Sequence, residues 1–274
     1  MTTKLFGAFA HLQKELPSYQ LEGHYDATLS DFMRDSAWDQ TWDVDSLASH
    51  LDIHDKLIVD LGVGDGRLIK RLQDYGIDAD FVGIDSSDAA YERFKNKQNK
   101  HGFSGKFIKK NFITEEIPAQ NVDFIYFGSV SINCLTSIEA VAKLFENVKI
   151  SLSENGRFAL SVYTESSIKR FPDLDGILTP DTYITENGAH RIIWRGLKYE
   201  APYLTHNAFI DRRAEGLDPV LCTNYERIWV EEDIVDIAHI LGWSMCKRSI
   251  SHVGDGGAMG YEVATISFKY DYEF

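Results

Sequence analysis

The chain has 274 residues, 44% of them hydrophobic and 26% charged, which suits one large globular domain or a domain with an insertion. Aromatic residues make up 12%, which excludes disorder as a global description, and no apolar run approaches the roughly 20 residues that span a bilayer. The net charge of −14 disfavours a phosphate polymer as partner, because such a partner is held by Lys and Arg.

Residues 1–55 set Lys4, Lys14 and Arg34 against ten acidic residues, so half of the net charge lies in the first fifth of the chain. A short apolar patch there is cut by His11 and Gln13, and we expect no signal peptide. Three widely spaced cysteines (Cys134, Cys222, Cys246) without a CxxC pair suit a reducing cytoplasm and argue against a zinc site. The central part alternates strands and helices. Residues 56–61 form a short apolar, β-branched run, as a strand buried on both faces requires. A glycine turn, 62–66, breaks it, and Leu68, Ile69 and Leu72 then recur at helical spacing. A second strand over 80–85 leads into a helix over 86–99, capped by Ser86 or Ser87. Strands follow at 106–109, 122–127 and 157–162, with a helix over 137–152 before the last. This order implies parallel βαβ units. Four prolines punctuate 165–229 and leave extended stretches near 190–199, 203–212 and 220–230, which predicts an inserted antiparallel meander. A helix with an acidic first turn over 231–243 and two strands near 244–252 and 261–270 complete the pattern.

The strongest signal is Asp60-Leu-Gly62-Val-Gly64-Asp65-Gly66, between a buried strand and a helix. Glycines there let the backbone turn sharply and admit a ligand close to it. A dinucleotide turn reads GxGxxG, and here the third glycine comes one residue early. Two carboxylates repel a pyrophosphate but favour a cation, and S-adenosylmethionine carries both a sulfonium and an ammonium. Asp85 ends the next strand, where an acid accepts hydrogen bonds from ribose hydroxyls. Asn111 and Phe112 follow the third strand, placed for an adenine.

These motifs make residues 56–164 resemble the core of the class I, Rossmann-like S-adenosylmethionine-dependent methyltransferases. The resemblance implies an α/β fold with a seven-stranded sheet whose last strand is antiparallel. It implies S-adenosyl-L-methionine as cofactor, held by Tyr25, Asp60, Gly62, Gly64, Gly66, Asp85, Ser86, Asn111, Phe112, Gly128 and Ser129. Asn111 stands where the family usually has aspartate. The meander and the pair Tyr25-Asp26 look like the glycine- and aminosugar-type N-methyltransferases and those that tail peptide natural products. By that likeness residues 1–50 are a helical lid, 51–164 the cofactor core, 165–229 a meander that roofs the acceptor, and 230–274 the rest of the core. Some aminosugar relatives carry a histidine base after the fourth strand, where this chain has Cys134, read here as a small buried residue.

Methyl transfer from a sulfonium needs alignment above all, and a neutral amine needs no strong base. Our candidates for catalysis are His206, Tyr25 and Tyr163, with Ser129, Ser131, Asn133, His190 and Tyr225 as further acceptor contacts. No divalent-metal cluster is evident. The expectation is a cytoplasmic enzyme of natural-product biosynthesis that methylates a small-molecule or peptide acceptor, at an amine nitrogen. The alternatives are an O-methyltransferase of a small metabolite and a non-catalytic S-adenosylmethionine-binding protein. Neither nucleic acid nor membrane is expected as a partner.

Overall fold

The computed structural model describes residues 5–16, 20–23, 29, 37–185, 188–254 and 260–271. In chain order come α1 (Gly7–Glu15), β1 (Gln20–Gly23), α2 (Val44–His50), β2 (Leu57–Leu61), α3 (Arg67–Asp74), β3 (Asp80–Asp85) and α4 (Asp88–His101). Then follow β4 (Lys106–Lys109), β5 (Val122–Phe127), a 3-10 turn (Ser131–Cys134), α5 (Ile138–Ser151), β6 (Leu152–Tyr163), and the short helices α6 (Glu165–Ile168) and α7 (Phe171–Leu174). The remainder is β7 (Leu178–Ile184), β8 (His190–Glu200), β9 (Tyr203–Asp211), β10 (Val220–Arg227), α8 (Glu231–Ile240), β11 (Trp243–Val253) and β12 (Tyr261–Tyr270). The chain divides into two compact units, one of residues 40–168 and 229–274, the other of 1–39 and 169–228.

The first unit is built on a seven-stranded sheet in the order β11-β12-β6-β5-β2-β3-β4. β5, β2, β3, β4 and β6 pair in parallel, whereas β12 is antiparallel to both β6 and β11. Parallel strands covered on both faces must be apolar throughout, and Ile58, Val59 and Leu61 of β2 are all buried. Ser87 caps α4 by accepting from the Ala90 N–H (3.2 Å), and Ser137 caps α5 in the same way through Ala140 (3.2 Å). On one face of the sheet Phe145 of α5 meets Phe158, Phe268 and Trp243 edge-on at 5.2, 5.5 and 5.5 Å. On the other face α2 lies on a polar seam. His50 Nδ1 is 2.9 Å from Ser267 Oγ and its Nε2 is 2.8 Å from Ser249 Oγ, while Ser46 donates to Thr265 (3.1 Å). Arg157 ties the end of that helix down, donating to the His50 carbonyl (2.7 Å) and to both oxygens of Asp55.

The second unit is a five-stranded sheet in the order β1-β10-β9-β8-β7. All its pairings are antiparallel except β1 with β10. Leu29, Ile193, Ala208, Ile210, Val220 and Cys222 form its buried cluster, with Tyr183 packed against it. On the opposite face Phe9 of α1 reaches the backbone of Gly196, where a Cβ would come within 2.7 Å of its ring. The Phe6 N–H donates to Asn207 Oδ1 (3.0 Å), which joins α1 to β9.

Several elements differ from the sequence expectation. The three extended stretches are β8, β9 and β10, and β7 and the N-terminal β1 add two strands to their sheet. Pro180 reads as a breaker but lies in β7, an edge strand, where its missing N–H costs no ladder bond. β1 is only four residues long and lies within a segment expected to be helical. The fifth core strand begins at Leu152, because β6 continues through the Glu154–Gly156 turn. Cys134 is exposed, not buried, since the 3-10 turn after β5 directs it outward.

Candidate functional site

The glycine turn between β2 and α3 is held open by backbone geometry. Gly62, Gly64 and Gly66 have φ of 69°, 59° and 83°, the left-handed region that glycine enters without a Cβ penalty. The Gly62 and Val63 N–H groups donate to the Ile84 carbonyl at 2.7 and 3.2 Å, which pins the turn to β3. A Cβ on Gly66 would lie 2.7 Å from Phe103, and one on Gly83 2.6 Å from Val63, so both glycines let the turn close onto the sheet. Gly62 differs, because a Cβ there would meet only Phe127, at 3.6 Å. The turn therefore closes tightly behind and leaves bare backbone at Gly62.

Two carboxylates sit at neighbouring strand ends. Asp60 is buried in β2. Asp85, half-buried at the end of β3, accepts from the Gly64 N–H through Oδ2 (3.1 Å) and from the Ser87 N–H through Oδ1 (2.9 Å). Its carboxylate thus holds the turn. Ser86 beside it is exposed, and Ser87 is the cap of α4. At the end of β4 the Asn111 Oδ1 accepts from the N–H groups of Ile113 (3.0 Å) and Thr114 (3.2 Å), so this oxygen builds the loop. Phe112 meets Phe127 edge-on at 5.4 Å.

At the end of β5, Gly128 is buried against Tyr126, whose ring a Cβ would strike at 2.2 Å. Ser129 and Val130 follow with φ of 53° and 51°, a conformation that costs a β-branched residue of order 1–3 kcal/mol. The Val130 N–H donates to Ser161 Oγ (2.7 Å) and holds it there. Ser129 is exposed at this edge. Asn133 is buried and accepts from the Trp229 N–H (3.3 Å), which gives it a packing role. Tyr163, at the end of β6, lies edge-on to Tyr261 at 5.3 Å.

Sequence reasoning missed three supports of this site. Arg67 opens α3, a helix end that disfavours cations, yet it is buried and pairs with Asp43 through both guanidinium nitrogens, one bond at 2.9 Å. It also donates to the Gln40 carbonyl (2.8 Å). Burial opposes its charge, but the hydrogen bond and charge of Asp43 outweigh this and hold the guanidinium protonated. A basic residue at a helix start was the available signal. Tyr126 is the second: burial first, then the nearby Asp43 and Asp60 carboxylates, push its phenol up, so it stays neutral. The third is Asn147, which donates to the carbonyls of Phe112 (2.9 Å), Ile113 (3.1 Å) and Glu115 (3.2 Å) and fixes the loop from α5.

The other candidates belong to the antiparallel unit. His206 Nε2 lies 3.5 Å from Glu226 Oε2, and Glu226 also accepts from Asn224. Tyr225 stacks on Tyr203 with centroids 5.1 Å apart and an interplanar angle of 15°. His190 is exposed at the start of β8. Tyr25 lies outside the described residues. Among the described residues there is no group of three or more potential metal ligands, and no helix long and apolar enough to cross a membrane.

Residues 58–156 match a family described as a methyltransferase domain. A curated relative, carboxy-S-adenosyl-L-methionine synthase of Nautilia profundicola, is 28% identical over 43% of this chain, and the match spans about half (48%) of that relative. Among solved structures, an S-adenosylmethionine-dependent methyltransferase of Clostridium acetobutylicum superposes with a TM-score of 0.62 at 18% identity, over 96% of this chain and 98% of that one. The glycopeptide N-methyltransferase MtfA in complex with S-adenosyl-L-homocysteine gives 0.61 at 15%, over 98% of this chain and 100% of that one. Residues 58–156 thus resemble a methyltransferase domain, and the fold is the class I, Rossmann-like one seen in S-adenosylmethionine-dependent methyltransferases. The cofactor of that class is S-adenosylmethionine. The residues present fit it: a cradle of bare glycine backbone, acids rather than bases at two strand ends, and an apolar wall of Phe112 and Phe127.

Proposed function

We propose that this chain is an enzyme that transfers a methyl group from S-adenosylmethionine to an amine nitrogen of a small-molecule or peptide acceptor. The observation that carries this reading is the acid-flanked glycine turn, tight against the sheet at Gly66 and Gly83 and bare at Gly62. Asp60, the three turn glycines and Asp85 hold the cofactor, with Asn111 and Phe112 beside the adenine and Gly128 and Ser129 at the next strand end. When bound, the cofactor supplies an electrophilic methyl on a sulfonium. The chain's own part is to orient, exclude water and accept the amine's proton, directly or through water. His206, Tyr163 and Tyr25 are our candidates for touching the acceptor. Two features favour an amine: the acidity of residues 1–55 and the likeness in fold to a glycopeptide N-methyltransferase.

Calorimetry with S-adenosylhomocysteine tests the cofactor, and NAD should not compete. A panel of amines and hydroxyl compounds scored by mass gain tests the acceptor. Rate should rise toward alkaline pH as the amine loses its proton. Methylation of hydroxyl compounds alone would overturn the amine assignment.

A further inference from the structure

Three strand ends lie together at the far side of the core sheet. β6 ends at Tyr163, β12 begins at Tyr261 and β11 ends at Val253, and the pairs Val263 with Tyr163 and Tyr261 with Val253 bring them to one edge. It is the carboxyl edge, because β6 runs parallel to β5 and the glycine turn follows β2 on that side. Glu262 is the centre of a polar corner there. Its Oε2 accepts from Ser166 Oγ and from Thr164 Oγ1 (3.3 Å). Ser167 Oγ fixes its backbone, accepting from the Glu262 N–H (2.6 Å) and donating to the Glu262 carbonyl (2.9 Å). Its Oε1 lies 3.4 Å from Nδ1 of His252, the cross-strand partner of Glu262. The Ser166 hydroxyl above all, then His252 and Thr164, hold this carboxyl below the usual range, so it is ionised.

An ordinary surface ion pair leaves both side chains loose. Here two hydroxyls hold a carboxylate that is still 34% exposed, a third fixes its backbone, and the carboxylate lies against an imidazole that is 74% exposed. His252 Nδ1 lies against Glu262, and the ring has no other partner among the described residues. Arg248, the nearest cation along β11, is engaged by Glu231 through two bonds, the longer 2.9 Å. The corner therefore presents a fixed carboxylate beside an exposed imidazole.

Distance decides what such a corner does. β11 lies three strands from β5, about 14 Å across the sheet at the usual strand spacing. Proton transfer needs contact at about 3 Å, so His252 is too far from a methyl held at the β2–β5 strand ends to act as the base. We propose that His252 and Glu262 bind a second polar group of the acceptor, a hydrogen-bond donor such as an ammonium or hydroxyl remote from the nitrogen that is methylated. Tyr163 and Tyr261 line the same edge beside it. The acceptor class is then an extended, bifunctional molecule of aminoglycoside or peptide size, not a simple monoamine. This rests on the methyltransferase reading above.

The test uses the full chain with S-adenosylmethionine and two probe series, linear monoamines and α,ω-diamines of four to twelve carbons. The expected result is that long diamines are preferred over monoamines of equal length by about tenfold or more in kcat/KM, the worth of one charge-assisted hydrogen bond. Glu262→Gln and His252→Ala should raise KM for the long diamines by a similar factor. They should leave kcat, monoamine methylation and S-adenosylhomocysteine affinity unchanged. Both positions are exposed enough that folding should survive. If monoamines and diamines are methylated alike, or if the variants keep the diamine KM, the corner assignment is overturned and the methyltransferase reading stands. If S-adenosylhomocysteine does not bind and no amine gains mass, the underlying reading falls and this proposal with it.

Discussion

The parallel sheet and the antiparallel sheet use their residues differently. In the parallel core the candidate site is made of backbone: three left-handed glycines, N–H groups tied to Asp85 and Ile84, and a buried ion pair behind them. In the antiparallel unit the candidate residues are side chains on strands, such as His206 beside Glu226 and Tyr225 stacked on Tyr203. Backbone sites tolerate little change because each atom is also part of the fold. Side chains on a sheet surface can be exchanged while the ladder beneath stays intact. The contrast is between a site that resists change and one that admits it, and mutation can break it or sharpen it.

The largest expected effect is in the core. Asp43→Ala leaves the Arg67 guanidinium buried without its counter-ion, which should cost about 3–5 kcal/mol in urea unfolding. A loss below about 1 kcal/mol would show that the pair is not a support of the turn.

Next comes the seam under α2. His50 is buried, and burial first, then Lys247 and Arg157, lower its pKa from 6.5 to about 4. The unfolded chain therefore takes up this proton at higher pH than the folded one. Stability should be full above pH 6.5 and fall by up to roughly 3 kcal/mol as the pH drops to about 4. Unfolding midpoints across that range check this, and His50→Gln should flatten the slope.

Asp85→Ala removes an acceptor for the turn and for the cofactor. Calorimetric affinity for S-adenosylhomocysteine should fall by about 1.5–3 kcal/mol, more than any single change in the antiparallel sheet produces. The smallest effect belongs to that sheet. Arg213→Ala breaks an exposed two-bond pair with Asp211 (2.9 and 2.6 Å) and should cost under about 1 kcal/mol, with cofactor affinity unchanged.

The sequence made the core legible because period and punctuation agree there. Continuous apolar runs marked β2, β3 and β5, and the glycines marked the sharp turn after β2. Asp85 was legible as an acid at a strand end but not as the residue that fixes the turn, since a hydrogen bond to the Gly64 N–H leaves no trace in spacing. Arg67 with Asp43 and Asn147 with the 112–115 loop are contacts between residues far apart in the chain, and no local pattern records them. In the antiparallel unit the period was clear in β8 to β10 and weak elsewhere. β7 holds a proline that its edge position tolerates, and β1 is too short to show alternation. The His252–Glu262 corner was invisible because its members come from three strand ends and a helix, joined only by the sheet order.

That sheet order also sets a timetable for synthesis. β12 is made after every other described strand yet pairs between β6 and β11, one strand in from the sheet's edge. Until it emerges, β6 has one finished neighbour and one bare edge, with Phe158, Leu160 and Val162 waiting for Phe268, Ile266 and Ala264. At about 5–20 residues per second the ribosome needs roughly 5–20 s to travel from β6 to the end of β12. For that interval the nascent protein carries an apolar strand with nothing to zip against, so its yield in cells should follow chaperone supply more closely than the stability of the finished fold.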